Sequence, residues 1–460
     1  MFVNHQLKQY DATTAILGFL AGVLFTFGLK EIQTRLNYRS HELNDKFPQS
    51  GTQLRTSNHE KGNPDNYNCD FEKPTAVELS LSEIPVGIES TIGNTPMFKI
   101  KSLSEVTGCT IMAKAEFLNG AGGSPKDRVA LSMIRMAEEQ GLLVSGRGDT
   151  IYEGTVGSTG ISLASLARAL GYRTHICIPN DQSQEKVDLL MCLGAQVERV
   201  APAPITSPDH FVNIAKRRSG EHTRKNSNTR GFFADQFENR ANFKAHFSST
   251  GPEIWKQTGG QLDAFVAGAG TGGTISGISL FLKQDSRMGK GIHVVLADPE
   301  GSGLHNKVKN GVMFSSTEKE GTRRRQQVDS MVEGIGINRL TENFEAGMDL
   351  IDDSVKVTDL QAMKMAKWLV EKDGIFVGSS SAVNCVAAVV TALKLPKDSR
   401  IVTILCDSGT RHLSKFWKEI AKLKIGKDEN ENDLLKILGV NDERNIARLV
   451  CQLKPRLKLI

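Results

Sequence analysis

A lysine at the start of a predicted helix is the residue of this chain best suited to covalent chemistry. Lys126 lies in the loop Gly122–Arg128. Within the loop, Ser124 suits the N-cap, Pro125 the first helical position and Asp127 a capping-box spacing. The helix dipole disfavours a cation in the first turn, and the neutral amine that it favours can form a Schiff base. Taken alone, however, the loop is more typical of a surface lysine beside Asp127.

A glycine-rich loop is the second candidate for chemistry. Its residues, Gly268–Thr274, follow the apolar run Ala264–Ala267 and precede an apolar helix. Glycines let backbone N–H groups surround a phosphate at a helix N-terminus, and Thr271 and Thr274 add hydroxyl groups. The loop also matches G-x-G-x-x-G, and Asp298 closes the next predicted strand. A dinucleotide site and a purely structural turn therefore stay open as alternatives.

A third loop, Glu153–Gly160, again leads from a predicted strand into a predicted helix. It combines glycines with small hydroxyl residues, a composition that suits the binding of a carboxylate at a helix start. Taken alone, ordinary N-capping explains these residues better.

The elements around these loops predict an α/β fold. From about residue 84 to residue 424, short β-branched runs alternate with amphipathic stretches. This alternation indicates mostly parallel sheets that are covered on both faces. Ligands bind such folds beyond the carboxyl ends of strands, so we expect the three loops to converge.

The motifs together resemble those of the fold-type II pyridoxal-phosphate enzymes, in the cysteine synthase and cystathionine β-synthase branch. Within that branch they are most similar to the fungal mitochondrial-type cysteine synthases. The resemblance covers roughly residues 91–416. Its segments are Ile92–Pro96 (family IGNTP), Gly123–Arg128 (GSVKDR), Asp235–Asn242 (QFxNxxN), Thr250–Trp255 (TGPEIW), Gly270–Thr274 (GTGGT), Val332–Gly336, Gly378–Ala382 and Asp407–Arg411 (within DSGxRYLS).

The resemblance implies a tryptophan synthase β-like fold of two α/β subdomains, a homodimer, and pyridoxal 5′-phosphate as the cofactor. Lys126 would be the catalytic residue, carrying the cofactor as a Schiff base and moving the proton at the substrate α-carbon. The implied cofactor contacts are Lys126, Ser158, Gly270, Thr271, Gly272, Gly273, Thr274 and Ser380. The implied substrate contacts are Thr155, Val156, Gly157, Ser158, Thr159 and Gln236.

The implied reaction is a β-replacement, in which O-acetyl-L-serine loses acetate and hydrogen sulfide adds to give L-cysteine. The substrate loop departs from the family's TSGNTG, because Val156 lacks a hydroxyl group and Ser158 replaces an amide. These departures keep open a related β-lyase, either a cystathionine β-synthase or a serine/threonine deaminase. They also keep open a catalytically weak, membrane-tethered binding protein. The segment 201–230 is a further departure, which we expect to form a basic, polar surface loop.

Composition excludes several other classes of protein. The net charge is +5 over 460 residues, and the basic residues are spread along the chain, so we expect no nucleic-acid partner. The seven cysteines are widely spaced and include no C-x-x-C pair. This spacing is not typical of a disulfide framework or of a metal site, and we expect neither. The cysteines in apolar runs, including Cys177 and Cys406, are predicted to be reduced core residues.

The N-terminal residues predict a membrane anchor. Ala12–Leu29 contains no charge and would rise roughly 27 Å as a helix. Lys30, Arg35 and Arg39 follow this span, whereas Lys8 alone precedes it, so the positive-inside rule places the C-terminal bulk in the cytosol. We expect the mitochondrial outer membrane, with the ER membrane as the alternative. The predicted order is a tail (1–11), the anchor (12–29), a disordered tether (30–83), a catalytic domain (84–425, smaller subdomain about 127–240) and a charged tail (426–460).

Overall fold

The computed structural model describes residues 86–284, 291–313, 330–423 and 433–442. The predicted anchor at residues 12–29, the N-terminal tail and the tether lie outside these ranges. Within the described part of the chain, no helix is long and apolar enough to cross a membrane. The predicted domain boundaries stay predictions.

Strands and helices alternate along the described residues. The strands are β1 (Met97–Lys99), β2 (Thr110–Ala115), β3 (Thr150–Gly154), β4 (Arg173–Pro179), β5 (Gln196–Val200), β6 (Gly231–Phe233), β7 (Ala264–Gly268), β8 (His293–Pro299), β9 (Asp353–Val357) and β10 (Arg400–Leu405). The α-helices are α1 (Lys101–Thr107), α2 (Lys126–Glu139), α3 (Ser158–Ala169), α4 (Gln184–Cys192), α5 (Phe211–Lys225), α6 (Ala241–Ala245), α7 (Gly251–Gln257), α8 (Gly273–Gln284), α9 (Leu304–Asn310), α10 (Glu342–Glu345), α11 (Asp359–Asp373), α12 (Ser379–Lys394), α13 (Lys418–Lys422) and α14 (Leu434–Leu438).

The strands form two sheets. The larger sheet has the order β1-β2-β10-β7-β8-β9, and only the β1–β2 pair in it is antiparallel. The smaller sheet has the order β5-β4-β3-β6 and is parallel throughout. The predicted α/β class with mostly parallel sheets is therefore confirmed.

Helices cover the larger sheet on both faces. Residues of α11 and α12 form a core cluster with one face, and residues of α8 pack on the other. The central strands β7 and β10 are accordingly buried along nearly their whole length. Such strands carry continuous apolar runs because neither of their faces meets water.

The segment 201–230 is not a surface loop, so that expectation is wrong. It contains the 15-residue helix α5, whose Phe211, Val212 and Ala215 pack in a core cluster beside the smaller sheet. The apolar residues of α5 follow helical spacing, but basic residues on its outer face conceal that pattern in the composition. The segment is therefore part of the fold around the site.

The start of α2 also differs from the expected capping box. The backbone N–H of Asp127 donates to the Ser124 carbonyl at 3.1 Å, but its side chain turns to the glycines, and Oδ2 accepts from the N–H groups of Gly122 and Gly123 at 2.7 and 2.9 Å. Its Oδ1 accepts from the Ser162 hydroxyl at 2.5 Å. Asp127 therefore fixes the glycine turn that precedes Lys126.

The predicted C-terminal tail contributes one helix to the described residues. Helix α14 buries Leu434 and Leu438 in the core cluster of α11 and α12. The Gln361 amide donates to the carbonyl of Leu438 at 2.9 Å, which fastens α14 to α11.

Candidate active site

Loops that follow strands of both sheets meet at one cavity of about 670 Å³. This volume lies within the range of small-molecule sites. The cavity is lined by every residue that the resemblance implicates except Gly273: Lys126, Thr155, Val156, Gly157, Ser158, Thr159, Gln236, Gly270, Thr271, Gly272, Thr274 and Ser380. The three loops thus converge as expected from their places after strands.

Lys126 is the first residue of α2 and lines the cavity. Burial lowers the pKa of its amine below the ordinary value, although the negative charge of Asp407, and that of Cys406 where its thiol is ionised, act in the opposite direction. Lys126 is thus not the surface ion pair that the loop alone suggested. A lysine with a lowered pKa holds a larger share of the neutral amine, which is the nucleophilic form.

The glycine-rich loop is held close to other parts of the backbone. Gly272 has a φ of +86°, and a Cβ atom there would lie 2.5 Å from the Cα of Phe344. A Cβ on Gly270 would lie 2.4 Å from the carbonyl oxygen of Gly334. The loop runs into the N-terminus of α8, whose first N–H groups have no partner within the helix. Anions bind favourably at such a terminus.

Two residues that had no role in the sequence interpretation hold the threonines of this loop. The Asn242 amide donates to the Thr271 hydroxyl at 2.9 Å. His246 Nε2 lies 3.2 Å from the hydroxyl oxygen of Thr274. Burial lowers the pKa of His246 well below its ordinary value, assisted by the positive charges of Arg128 and Lys126, so its ring is neutral. Asn242 was visible in the motif QFxNxxN, whereas nothing in the sequence marked His246.

The substrate loop has one polar and one apolar side. Thr159 donates to the Gln236 carbonyl oxygen at 2.5 Å, and the Gln236 amide donates to Glu153 at 3.1 Å. Burial raises the pKa of Glu153 well above its ordinary value. Val156, in contrast, packs against the cluster that contains Phe211. Val156, which differs from the family's motif, thus packs beside the start of helix α5 in segment 201–230 at the cavity.

Ser380 lies in the first turn of α12 and is 5% exposed. Beside it, the buried amide of Asn384 joins two strand ends, accepting from Gly268 N–H and donating to the Ile404 carbonyl, each at 2.8 Å. Cys406 is a free thiol that packs against the core cluster of α8, as predicted, but it is half-buried and also lines the cavity. Its place directly after β10 brings it to the carboxyl ends of the strands. Cys177 is fully buried, as predicted.

The dinucleotide alternative requires Asp298 to reach a ligand. Asp298 is fully buried and is not among the residues that line the cavity. Its Oδ2 accepts from His305 N–H at 2.8 Å, at the start of α9. Asp298 therefore has a structural role here, which removes the support that it gave to this alternative.

The donor set fits pyridoxal phosphate group by group. A buried amine of lowered pKa suits the aldehyde, and a helix N-terminus with two threonine hydroxyls suits the phosphate. The Ser380 hydroxyl, buried in the same cavity, suits the pyridine nitrogen as a hydrogen-bond partner.

Comparisons with known proteins agree with this fit. The family model described as pyridoxal-phosphate dependent enzyme matches residues 88–407. Among solved structures, a crystal structure of O-ureido-L-serine synthase is similar, with a TM-score of 0.62 and 28% identity. That likeness covers 75% of this chain and 97% of the other.

Curated relatives are more similar in sequence. Cysteine synthase 2 of Neurospora crassa is 59% identical over 455 residues, which cover 96% of this chain and 99% of the relative. Cysteine synthase 2 of Schizosaccharomyces pombe is 60% identical over 342 residues, covering 74% and 86% of the two chains. The predicted cofactor is confirmed, and the chain belongs to the pyridoxal-phosphate dependent enzyme family, among the cysteine synthases.

Proposed function

We propose that this protein makes L-cysteine from O-acetyl-L-serine and hydrogen sulfide and releases acetate. The observation that carries the proposal is Lys126, whose amine has a lowered pKa and lines one cavity with the glycine-rich loop and Ser380. The names of the relatives support cysteine as the product.

In this function, Lys126 holds the cofactor and later moves the proton of the substrate α-carbon. The bound cofactor supplies a conjugated ring that withdraws electrons from that carbon. Because its pKa is lowered, the Lys126 amine is in the neutral, proton-accepting form over a wider pH range, so it can accept the α-proton and return it in the second half of the reaction.

Two further groups of residues hold the cofactor. Gly270–Thr274 would hold its phosphate with backbone N–H groups and the hydroxyls of Thr271 and Thr274. Ser380 and Ser158 would hold its ring. A serine at the pyridine nitrogen is neutral, so the ring would withdraw electrons less strongly than beside an acid, which would favour β-elimination over transamination.

The loop from Thr155 to Thr159 binds the carboxylate of the amino acid at the start of α3, and Gln236 assists it. The hydrogen bonds of Gln236 to Glu153 and Thr159 fix the orientation of its amide. Val156 contributes only its backbone and an apolar surface, so the carboxylate depends on the remaining hydroxyl and N–H groups.

The test is a cysteine synthase assay on the purified holoenzyme with O-acetylserine and sulfide. We expect Lys126→Ala to lose roughly 10³-fold in rate, together with the borohydride-reducible absorption of the lysine-bound cofactor. Lys101→Ala is the matched control, because its side chain is 81% exposed and lies outside the cavity lining. The proposal fails if the wild type makes no cysteine, or if Lys126→Ala matches the control.

A related β-lyase is the second candidate, and the substrate loop motivates it. Mouse cystathionine β-synthase is 38% identical over 338 residues, although the match covers only 56% of that protein. The same assay with serine and homocysteine, or with serine or threonine alone, separates the candidates. Turnover of these substrates that exceeds turnover of O-acetylserine would favour the lyase.

The N-terminal span adds a proposal about location. We propose that residues 12–29 anchor the enzyme in the mitochondrial outer membrane with its catalytic domain in the cytosol; the ER is the alternative. The uncharged run supports this, as does a Saccharomyces cerevisiae relative, 56% identical over 337 residues, whose name contains the word mitochondrial. Protease should remove the catalytic domain from intact mitochondria, and deletion of residues 1–34 should release it into the soluble fraction. Recovery in microsomes would favour the ER.

The family resemblance motivates a proposal about assembly as well. We propose a homodimer, which light scattering on the purified holoenzyme tests. A monomeric mass at micromolar concentration would contradict it.

A further inference from the structure

A histidine–aspartate pair lines the same cavity as Lys126 and has no part in the steps above. His412 Nε2 lies 2.9 Å from Asp407 Oδ2, and the two residues are 6% and 7% exposed. The backbone of Gly378 packs against both, since a Cβ atom there would lie 2.2 Å from Asp407 Oδ1 and 2.5 Å from His412 Nε2. The imidazole is therefore held in one orientation.

The other ring nitrogen of His412, Nδ1, is buried and unpaired among the residues that the structure describes. Glu333 Oε2 lies 3.7 Å from it, and Glu333 is itself paired with Lys186 at 2.8 Å and with Lys415 at 3.5 Å. The charged groups beside the ring are Asp407 and Glu333; Lys186 and Lys415 lie beyond Glu333, and the charge of Arg411 acts on Asp407.

The second half of the proposed reaction needs two proton transfers. Hydrogen sulfide carries one more proton than the thiol of cysteine, so a proton must leave sulfur as the S–C bond forms. At the same stage the α-carbon must gain a proton, which Lys126 supplies. When hydrogen sulfide is the nucleophile instead of hydrosulfide, Lys126 delivers its proton in the same step, so the proton of hydrogen sulfide needs a second acceptor.

We propose that His412, oriented by Asp407, accepts the proton of hydrogen sulfide at Nδ1; this rests on the proposed cysteine synthase function. A lone pair of sulfur forms the bond to the substrate β-carbon, the electron pair of the Cα–Cβ double bond takes the proton of Lys126 at the α-carbon, and the electrons of one S–H bond stay on sulfur. The proton of that bond moves to Nδ1, and Glu333, whose Oε2 lies 3.7 Å away and whose side chain is 24% exposed, passes it on to solvent. Asp407 and Glu333 stabilise the imidazolium. A base oriented through its other nitrogen by a carboxylate is an established arrangement for acid–base catalysis.

The residue type at this position agrees with the role. The motif DSGxRYLS has tyrosine where this chain has His412. A phenol, with an ordinary pKa of about 10, is protonated near neutral pH and does not accept a proton there, whereas an imidazole does. The substitution thus changes the chemistry available at the cavity.

The test follows the two half-reactions of the holoenzyme separately, by cofactor absorbance in stopped flow, over a range of pH. O-acetylserine alone gives the first half-reaction with acetate release, and sulfide added afterwards gives the second. We expect His412→Asn to slow the second half-reaction roughly a hundredfold at acidic pH, where sulfide is present as hydrogen sulfide. The defect should shrink as pH rises, because hydrosulfide has no proton to lose. Asp407→Asn, as a positioning variant, should show the same pH-dependent defect at smaller size.

The matched control is His175→Gln. His175 is another buried histidine paired with a carboxylate, 3.0 Å from Glu198, and it lies outside the cavity lining. The decisive variant is His412→Asn with native cofactor absorbance. The proposal is overturned if its second half-reaction is slowed equally at every pH, or is not slowed at all. If that variant does not bind the cofactor, His412→Gln and Asp407→Asn decide by the same criterion. A wild type that releases no acetate from O-acetylserine shows instead that the proposed function has failed, before sulfide is added.

Discussion

Two clusters of buried and partly buried charged side chains differ in how completely their polar atoms are paired. The Arg128 cluster consists of Arg128, Glu116, Glu253 and Lys114, and the His412 cluster of His412, Asp407, Glu333 and Lys186. In the first, the Arg128 side chain is 2% exposed, and its three nitrogens all donate to carboxylate oxygens at 2.6 to 2.9 Å. In the second, Asp407 Oδ1 and His412 Nδ1 have no partner within the described ranges.

The difference separates a structural role from a chemical one. A charge that is buried and fully paired can stay ionised, and it fixes the elements that carry its partners. An unpaired polar atom in a cavity costs stability, so its presence points to a ligand or a proton that it handles. Only the His412 cluster lines the cavity; the members of the Arg128 cluster are not among the lining residues.

The largest expected effect on stability follows removal of the arginine. Arg128→Met leaves Glu116 fully buried without its cation, and we expect a loss of about 3–5 kcal/mol in the free energy of unfolding. Urea unfolding of the holoenzyme measures this loss. Arg135→Met, on the same helix with a side chain 48% exposed, is the control and should change stability by less than about 1 kcal/mol. Equal losses in the two variants would contradict the structural role of the Arg128 cluster.

The site was predictable from sequence where its residues are contiguous in the chain. Gly270–Thr274 and Thr155–Thr159 each follow an apolar strand and open a helix, so local pattern alone placed each of them at the carboxyl end of a strand. The Arg128 cluster was not predictable, because Glu116 and Glu253 lie on separate elements and meet only through packing. His412 stood in a recognised motif, but its contacts with Asp407 and Glu333 depend on the tertiary fold.

The second expected effect is acid destabilisation through the Arg128 cluster. Burial alone would raise the pKa of Glu253, but hydrogen bonds and charge from Arg128 and Lys114 outweigh it and lower the pKa from 4.5 to about 2. Because the folded pKa is the lower one, this stabilisation is present above about pH 4.5 and is lost as pH falls toward 2. It amounts to roughly 3 kcal/mol. Urea unfolding at several pH values should show a steeper loss between about pH 5 and pH 3 in the wild type than in Glu253→Gln. Identical slopes would show that Glu253 has no depressed pKa.

The smallest expected effect is the coupling between Lys186 and Glu333 in the His412 cluster. Their side chains are 16% and 24% exposed and lie 2.8 Å apart, so solvent screens the pair more than it screens Arg128 and Glu253. A double-mutant cycle with Lys186→Met and Glu333→Gln should give a coupling of about 1 kcal/mol or less in the free energy of unfolding. The parallel cycle with Arg128→Met and Glu253→Gln should give a larger one.

Salt sharpens this last comparison, because screening acts mainly on exposed charges. The Lys186–Glu333 coupling should fall when both cycles are repeated in high salt, whereas the Arg128–Glu253 coupling should change little.

The two clusters should also differ in function, since Lys186 lies against the loop that binds the carboxylate in our proposal. A Cβ atom on Gly157 would be 3.5 Å from Lys186 Cδ. Lys186→Met should therefore change the KM for O-acetylserine and leave the free energy of unfolding nearly unchanged. A loss of stability with an unchanged KM would place the Lys186 pair with the structural cluster.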